Sequence, residues 1–247
     1  MRKYTPLVGC LRRDPRHSRF PIPNAVWEYK LKPIEFVLLA YLCYRNSYGS
    51  TNVSPEMVAK GVHMTAVTVK KYLAGLVGRK FITDEEWSLA PAFQQVGGRK
   101  FFTLPNEIFL LNLPPSAFMV YAYLLLIKDR KTHICHPSYN TIATVTGLAK
   151  NTVIKSINTL LEMDLIAVEP SNYFDKRGMK WTGNNLYTIL PTQAAVDQFH
   201  QSQLYQLELA AERRRVRKRQ ETHAHRHSRA VLCSPPAPGA SAPAPAT

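Results

Sequence analysis

Two segments of the chain are apolar on nearly every side when drawn as helices, "IEFVLLAYLCY" at 34–44 and "AFMVYAYLLLI" at 117–127. A helix of about three turns with this pattern is typical of the centre of a fold, where neighbouring elements cover all its sides. Pro33 and Pro115 lie at the start of these segments. Proline suits a first helical turn because no hydrogen bond there needs its missing amide hydrogen. The pattern therefore predicts two central helices.

Each central helix is followed by two helices whose apolar positions lie on one side only. The pairs Ser54-Pro55 and Pro137-Ser138 are N-terminal capping signals for a second helix. A third helix is predicted from about Thr65 to Arg79 and again from about Lys150 to Met163. The core positions of these third helices are Val69, Leu73 and Leu76 in the first and Val153, Ile157 and Leu160 in the second.

Runs rich in β-forming residues follow each third helix. "KFITDEE" at 80–86 returns through "GGRKFFTLP" at 97–105, and "LIAVEPSNYF" at 165–174 returns through "NNLYTILP" at 184–191. Each pair predicts a β-hairpin. Three helices followed by a hairpin form a winged helix-turn-helix, so the predicted fold class is mainly α with small β-hairpins (α+β).

The two sets of elements form a sequence repeat. At an offset of 82 residues, Pro23, Asn24, Leu31, Pro33, Phe36, Ala40, Tyr41 and Leu42 align with Pro105, Asn106, Leu113, Pro115, Phe118, Ala122, Tyr123 and Leu124. At an offset of 84, Ala59, Thr68, Val69, Lys71, Leu76 and Ile82 align with Ala143, Thr152, Val153, Lys155, Leu160 and Ile166. These identities predict a tandem duplication.

The repeat and the composition together predict five segments. They are a basic N-terminal arm (1–19), a first winged-helix domain (20–103), a second winged-helix domain (104–191), a basic helix (192–222) and a disordered tail, His-rich and then Pro/Ala-rich (223–247).

The second copy closely resembles the bacterial helix-turn-helix pattern, with Ala143, Gly147-Leu148 at the turn and Thr152-Val153 beyond it. Glycine fits the turn because a positive φ is commonly needed there, and the first copy has His63 at that position. Over residues 20–191 the chain resembles tandem winged-helix proteins encoded by bacterial mobile elements, which include helix-turn-helix regulators and plasmid replication initiators. The resemblance implies double-stranded DNA as a partner.

Charge supports a polyanionic partner. The net charge is +15, of which residues 1–20 contribute +5 and residues 201–247 another +5. Dense positive charge attracts nucleic acid through counterion release, although an anionic membrane surface would satisfy the same charge. No apolar run reaches 18 residues, and the four cysteines are scattered singly. The sequence therefore predicts a cytoplasmic protein that is not associated with a membrane. The resemblance implies a bacterial protein associated with the nucleoid or a plasmid.

In a winged helix the N-terminal half of the third helix enters the major groove. Asn151 is the expected base reader because its amide both donates and accepts, whereas Thr152 is expected on a phosphate. The candidate residues of the second unit are Lys150, Asn151, Thr152, Lys155 and Ser156 in the helix and Lys176, Arg177 and Lys180 in the wing. Those elsewhere are Thr65, Thr68, Lys70, Lys71, Arg99 and Lys100 in the first unit and Arg213, Arg214 and Arg215 in the basic helix. The first third helix offers fewer hydrogen-bonding groups, so the second unit is predicted to be the stronger reader.

Enzymatic chemistry is disfavoured. The chain has no phosphate-binding "GxxxxGK[ST]" motif. The "HAHRH" cluster at 223–227 lies in a polar tail, and "HICH" at 133–136 has no second ligand pair nearby. We therefore predict no catalytic residues, no metal and no cofactor.

Three functions remain open at this point. The leading one is sequence-specific binding of double-stranded DNA as a transcriptional regulator of a mobile element. A replication initiator that binds repeated origin sites would use the same surface. A protein-interaction scaffold is the third, since the first third helix is largely apolar. The sequence also leaves open a homodimer and contacts with replication or transcription machinery.

Overall fold

The structure is a computed structural model that describes residues 18–49, 53–83, 87–90, 100–174 and 177–232 of the 247. For residues 173–174, 180–182 and 222–232 it describes the backbone alone. The chain divides into two compact parts, Met1–Phe199 and His200–Thr247. The first part holds both copies of the repeat, which are called the first and second units.

The first copy begins with strand β1, Arg19–Pro23, and a 3-10 helix, Asn24–Tyr29. Helices α1 (Pro33–Ser47), α2 (Pro55–Gly61) and α3 (Ala66–Gly78) follow. Ser54 caps α2, because its hydroxyl accepts the amide hydrogen of Met57 at 3.2 Å. These bounds confirm the three helices expected from the sequence.

The second copy repeats this order and adds a regular sheet. Its elements are β2 (Phe101–Pro105), a 3-10 helix (Asn106–Leu111), α4 (Pro115–Ile127), β3 (Ile134–Cys135), α5 (Tyr139–Thr146), α6 (Lys150–Glu162), β4 (Ile166–Phe174) and β5 (Lys180–Ile189). The three strands form an antiparallel sheet in the order β3-β5-β4. The predicted second hairpin is thus confirmed, and the fold class is mainly α with small antiparallel sheets.

The two copies are related by a local two-fold axis. β1 pairs antiparallel with β2 so that Pro21 lies opposite Thr103, and these two positions are 82 residues apart, the offset of the repeat. Equivalent hydrogen bonds extend the ladder at both ends, from the amide of Asn24 to the carbonyl of Lys100 and from the amide of Asn106 to the carbonyl of Ser18. The duplication therefore built an internal pseudo-dimer.

Aromatic contacts in the core obey the same symmetry. Phe36 packs on its own counterpart, Phe118, with ring centroids 6.1 Å apart. The contact of Trp27 with Tyr123, at 5.5 Å, is mirrored by that of Phe109 with Tyr41, at 5.2 Å. Both central helices contribute to one continuous hydrophobic cluster. The boundary predicted between residues 103 and 104 falls inside β2, where the copies are joined most closely.

The first predicted hairpin was wrong in its return strand. Residues 101–105 pair with β1 rather than with the segment after α3. That segment forms a shorter hairpin, with a bridge between Ile82 and Leu89 and a hydrogen bond from the amide of Thr83 to the carbonyl of Ser88. The reason lies in the repeat, since Phe101–Pro105 is the counterpart of Arg19–Pro23 and starts the second copy.

The last helix, α7, runs from Thr192 to Leu232. It includes the basic helix predicted over 192–222 and continues through 223–232, the start of the predicted tail. No glycine or proline occurs between Thr192 and Leu232, so the polar composition of the His-rich stretch does not interrupt the helix. The predictions for residues 1–17 and 233–247 lie outside the described residues.

Replacing Gly61 with alanine is expected to destabilise the fold by about 1–3 kcal/mol through overpacking. A Cβ built at Gly61 would overlap the ring of Tyr41. That ring cannot easily move, because it is buried between Phe109 and Tyr44. The free energy of unfolding, measured by chemical denaturation, checks this expectation.

Gly78→Ala is the matched control. Gly78 also lies in a helix, and no atom stands within 4 Å of its built Cβ. We expect this variant to be as stable as the parent or up to about 1 kcal/mol more stable. Equal losses in the two variants would mean that the packing of Tyr41 does not limit position 61.

Candidate nucleic-acid interface

Helix α6 presents a polar, positively charged side near its N-terminus. Lys150, Asn151 and Lys155 are exposed there, while Thr152 is half-buried. The opposite side packs into the core through Val153, Ile157 and Leu160, as the spacing predicted. Donors and acceptors on this exposed side are of the kind that address base edges and phosphates.

The start of α6 has no side-chain cap. Ala149 occupies the N-cap position, and its methyl side chain cannot accept a hydrogen bond from the first helical amides. An uncapped N-terminus carries partial positive charge and amide hydrogens oriented away from the helix, which favours an anion such as a phosphate. This feature reinforces the charge of Lys150 beside it.

Ser156 was wrongly included among the interface residues. Its side chain is only 2% exposed, and its hydroxyl oxygen makes no hydrogen bond within the described part of the chain. Ser156 lies three residues after Val153 and four before Leu160, so the helical repeat places it on the same buried side. It cannot contact a ligand in this conformation.

Helix α3 of the first unit differs from α6 at its N-terminus. The hydroxyl of Thr65 accepts the amide hydrogen of Thr68 at 3.3 Å and lies 2.9 Å from the hydroxyl of Thr68. Both predicted threonines are therefore occupied in capping the helix. Val67 stands at the position that Asn151 has in α6 and is 80% exposed, so an apolar side chain replaces an amide there.

An acidic residue also reduces the positive charge of α3. Lys70 forms an ion pair with Glu56 of α2 at 2.9 Å, and the hydrogen bond from Lys70 lowers the pKa of that carboxyl. Asn140 occupies the corresponding position of the second unit. Both lysines predicted for α3 are exposed, but the positive charge of Lys70 is partly neutralised by the ion pair with Glu56.

The turns before the two third helices have the expected backbone. Gly147 has a φ of 70° and His63 a φ of 54°, so both copies place a left-handed residue at the turn. His63 also lies 3.1 Å from the carbonyl oxygen of Phe109 through its Nε2. The residue with the unfavourable positive φ in the first copy, His63, therefore contacts the second copy.

The predicted wing residues are described only in part. Arg177 is exposed and precedes Gly178, which has a φ of 76° at the tip of the β4–β5 hairpin. Lys180 is described by its backbone alone, and Arg99 and Lys176 lie outside the described residues. Lys100 is exposed, but it precedes β2 beside β1 and not in a wing, because the return strand was assigned wrongly.

The basic helix carries exposed cations on all sides in the part His200–Thr247. Arg213, Arg214 and Arg215 are exposed. Arg215 pairs with Glu212 at 3.6 Å, and Arg217 pairs with Glu221 at 3.3 Å. Exposed pairs at this spacing contribute little to stability, so the segment remains a strongly cationic helix.

Sequence reasoning missed a group of amides beside Lys150. A cavity of about 270 Å³ separates the starts of α5 and α6 from β5, and its lining includes Asn140, Asn184 and Asn185. Asn185 donates to the hydroxyl of Tyr139 at 2.9 Å. These asparagines are far apart in the sequence, and only the sheet brings them together.

Among the described residues there is no cluster of three or more metal-ligating side chains, and none of their helices combines the length and the apolar character that a membrane span requires. Cys135 of the "HICH" stretch is buried, and burial raises the pKa of its thiol to about 11. The "HAHRH" stretch is described by its backbone alone, as part of α7.

One comparison with known proteins matches part of the second copy of the repeat. A family model described as a helix-turn-helix domain matches residues 111–166, which include α4, α5 and α6. This segment of the second copy is thus similar to a helix-turn-helix domain. No curated protein matches the chain.

Among solved structures, the chain matches a protein titled "Possible transcriptional regulator from Methanosarcina mazei Go1". The identity is 18%, and the match covers 45% of this chain and 89% of that one. The TM-score is 0.31.

Proposed function

We propose that the protein binds double-stranded DNA sequence-specifically, with α6 of the helix-turn-helix domain as the main reading helix, and acts as a transcriptional regulator. The observation that carries the proposal is the exposed set Lys150, Asn151 and Lys155 on the third helix of a domain with this family match. A third helix of this kind reads the major groove with its N-terminal residues.

The two units are proposed to contribute unequally. α6 combines an uncapped N-terminus with Asn151, whereas α3 has a capped N-terminus, Val67 at the equivalent position and the acid Glu56 beside Lys70. An exposed valine can contact a thymine methyl group but cannot form a bidentate hydrogen bond. The first unit is therefore the weaker reader, and Lys71 adds only phosphate attraction.

Selection of bound fragments from random duplex DNA tests this function at about physiological salt, where nonspecific cationic attraction is weak. Regulation predicts a single site that lies over a promoter when mapped to the genome of origin. Repeated sites next to an AT-rich stretch would instead indicate a replication initiator. Recovery of no common sequence would contradict sequence-specific binding by either kind of protein.

Replacing Asn151 with alanine is expected to relax the preference at one base position by about 1–3 kcal/mol, with smaller changes elsewhere in the site. The amide of Asn151 is exposed at the second residue of α6, where insertion of the helix N-terminus brings it to base edges. Affinities for a set of duplexes, each with one substituted base pair, measure the change.

Asn158→Ala is the control for this prediction. Asn158 is exposed on the same side of α6, two turns further along, and an inserted N-terminus places it away from the bases. It is expected to leave the preference unchanged. If Asn151→Ala weakens binding to all duplexes equally, Asn151 is a phosphate contact and not a base reader.

A further inference from the structure

A cavity of about 440 Å³ opens at one end of the β1–β2 ladder. It is bounded by β1, the C-terminal end of α4, the turn before β3 and the segment that leads from β5 into α7. Cavities of this size are large enough for a small organic ligand. None of the DNA-reading residues proposed above lines it.

Cationic and hydrogen-bonding groups converge on this cavity. Arg19, Lys128 and His133 line it together with Tyr121, and Glu107 is the one acidic residue among its described lining residues. The first residues of α7, Thr192 and Gln193, also line it, so the positive end of a long helix faces the same space. The lining is therefore electropositive.

The two cations are held in place by the fold. Arg19 donates from Nε to the hydroxyl of Thr103 at 2.9 Å and from Nη2 to the carbonyl of Thr103 at 2.8 Å. Lys128 lies 2.8 Å from Nδ1 of His133 through its Nζ. A site whose donors are already positioned loses little conformational entropy when a ligand binds.

Lys128 is half-buried, and Arg19 is exposed. Partial desolvation lowers the pKa of Arg19, and burial together with the charge of Arg19 lowers the pKa of Lys128. Burial raises the pKa of Tyr121 to about 12, so its hydroxyl remains a hydrogen-bond donor at neutral pH. An anion between these groups would relieve the repulsion between the two cations.

The duplication supplies an internal comparison. Under the two-fold axis the positions of Arg19, Lys128, Tyr121 and Glu107 correspond to Phe101, Asn46, Leu39 and Ala25. The ladder has the same geometry at that other end, where Phe101 lies opposite Pro23 as Pro105 lies opposite Arg19. The fold therefore tolerates uncharged residues at all four positions. The polar residues at this one end of the ladder are therefore not needed for folding, which points to a role in binding.

We propose that this cavity is a binding site for a small oxyanion, a phosphate- or carboxylate-bearing molecule held by Arg19 and Lys128. Tyr121 and the start of α7 complete its donors. The site is separate from the proposed DNA-reading surface, and the proposal does not depend on DNA binding. Because the ligand joins the β1–β2 junction to the start of α7, such a molecule is suited to act as an effector.

Titration calorimetry of the full chain with sodium pyrophosphate and with citrate tests the proposal, with ionic strength held constant so that screening does not change. We expect saturable binding of at least one of them at one site per chain. Lys128→Asn, which installs the counterpart residue of the first copy, is expected to weaken it about tenfold or more, since a hydrogen bond to a charged group is lost.

Two further variants control for folding and for general charge. Tyr121→Phe keeps the buried ring and removes only the hydroxyl, and is expected to weaken binding about threefold or more. Lys60→Asn removes an exposed lysine of α2 outside the cavity and is expected to leave binding unchanged. Absence of saturable heat with both anions, or equal weakening by Lys60→Asn and Lys128→Asn, overturns the proposal.

The backbone phosphates of DNA are oxyanions too and could occupy the same cavity. Duplex affinity is therefore measured for the parent and for Lys128→Asn in the same buffer. An unchanged duplex affinity supports a small-molecule site. If Lys128→Asn weakens duplex and pyrophosphate binding by the same factor, and the two compete, the cavity belongs to the DNA backbone and the proposal fails.

Discussion

A chain that ends at Phe199 is expected to keep the sequence preference of the full protein and to bind every duplex more weakly. Six of the seven residues 213–219 are Arg or Lys, and the exposed ones can approach phosphates without a defined geometry. If about three or four of them do so, affinity at about 0.15 M salt falls by about 10²–10³. The remaining part, Met1–Phe199, has its own continuous core.

The salt dependence of binding is the decisive measurement. Each phosphate contact adds about 0.9 to the slope of log affinity against log salt concentration, so the slope is expected to fall by about 3. A full-length chain in which the cations of 213–219 are replaced by glutamine is the control, and it should match the truncated chain. Loss of sequence preference in either variant would place base reading in α7 and contradict the role given to α6.

The helices of both copies follow from local patterns, because their signals lie within a few residues of each other. Ser54 and Ser138 cap the helices that their spacing predicts, and Gly147 and His63 have the positive φ that the turn requires. Capping and turn geometry depend on near neighbours alone, and these features could therefore be read from the sequence.

The strand that pairs with β2 could not be predicted from local sequence patterns. A β-rich run at 101–105 has several possible partners, and proximity along the chain favoured the segment after α3. The repeat contained the missing information, since Phe101–Pro105 matches Arg19–Pro23 and the two pair about a symmetric centre. A two-fold relation between copies is a property of the folded chain, and no local pattern expresses it.

The exposed lysines and Asn151 of α6 follow from helical periodicity, but two features that distinguish the units do not. Glu56 lies beside Lys70 only because α2 and α3 pack together. Ser156 is polar yet buried, because the buried side of α6 is wider than a narrow apolar stripe. Contacts between elements therefore determine the net charge near α3 and the set of α6 residues that is buried.

Exchange of three residues near the N-termini of α2 and α3 for their counterparts in the second copy is expected to convert an asymmetric binding site into an inverted repeat. The variant Ala66→Lys, Val67→Asn and Glu56→Asn gives the first unit the residues that the second has at Lys150, Asn151 and Asn140. α3 packs on α1 as α6 packs on α4, so the two-fold axis of the core presents the two helices in opposite directions. Protein two-fold symmetry is matched by palindromic DNA.

The measured outcomes are the selected sequence and the affinity. We expect the variant to bind an inverted repeat of the α6 half-site about 10- to 100-fold more tightly than the parent does, since one good base contact contributes about 1–3 kcal/mol. The reciprocal variant, Lys150→Ala with Asn151→Val, should lose most of the selection. If the triple variant recovers the parent's own site unchanged, the first unit does not read DNA, and the internal pseudo-dimer presents one reading helix and one scaffold.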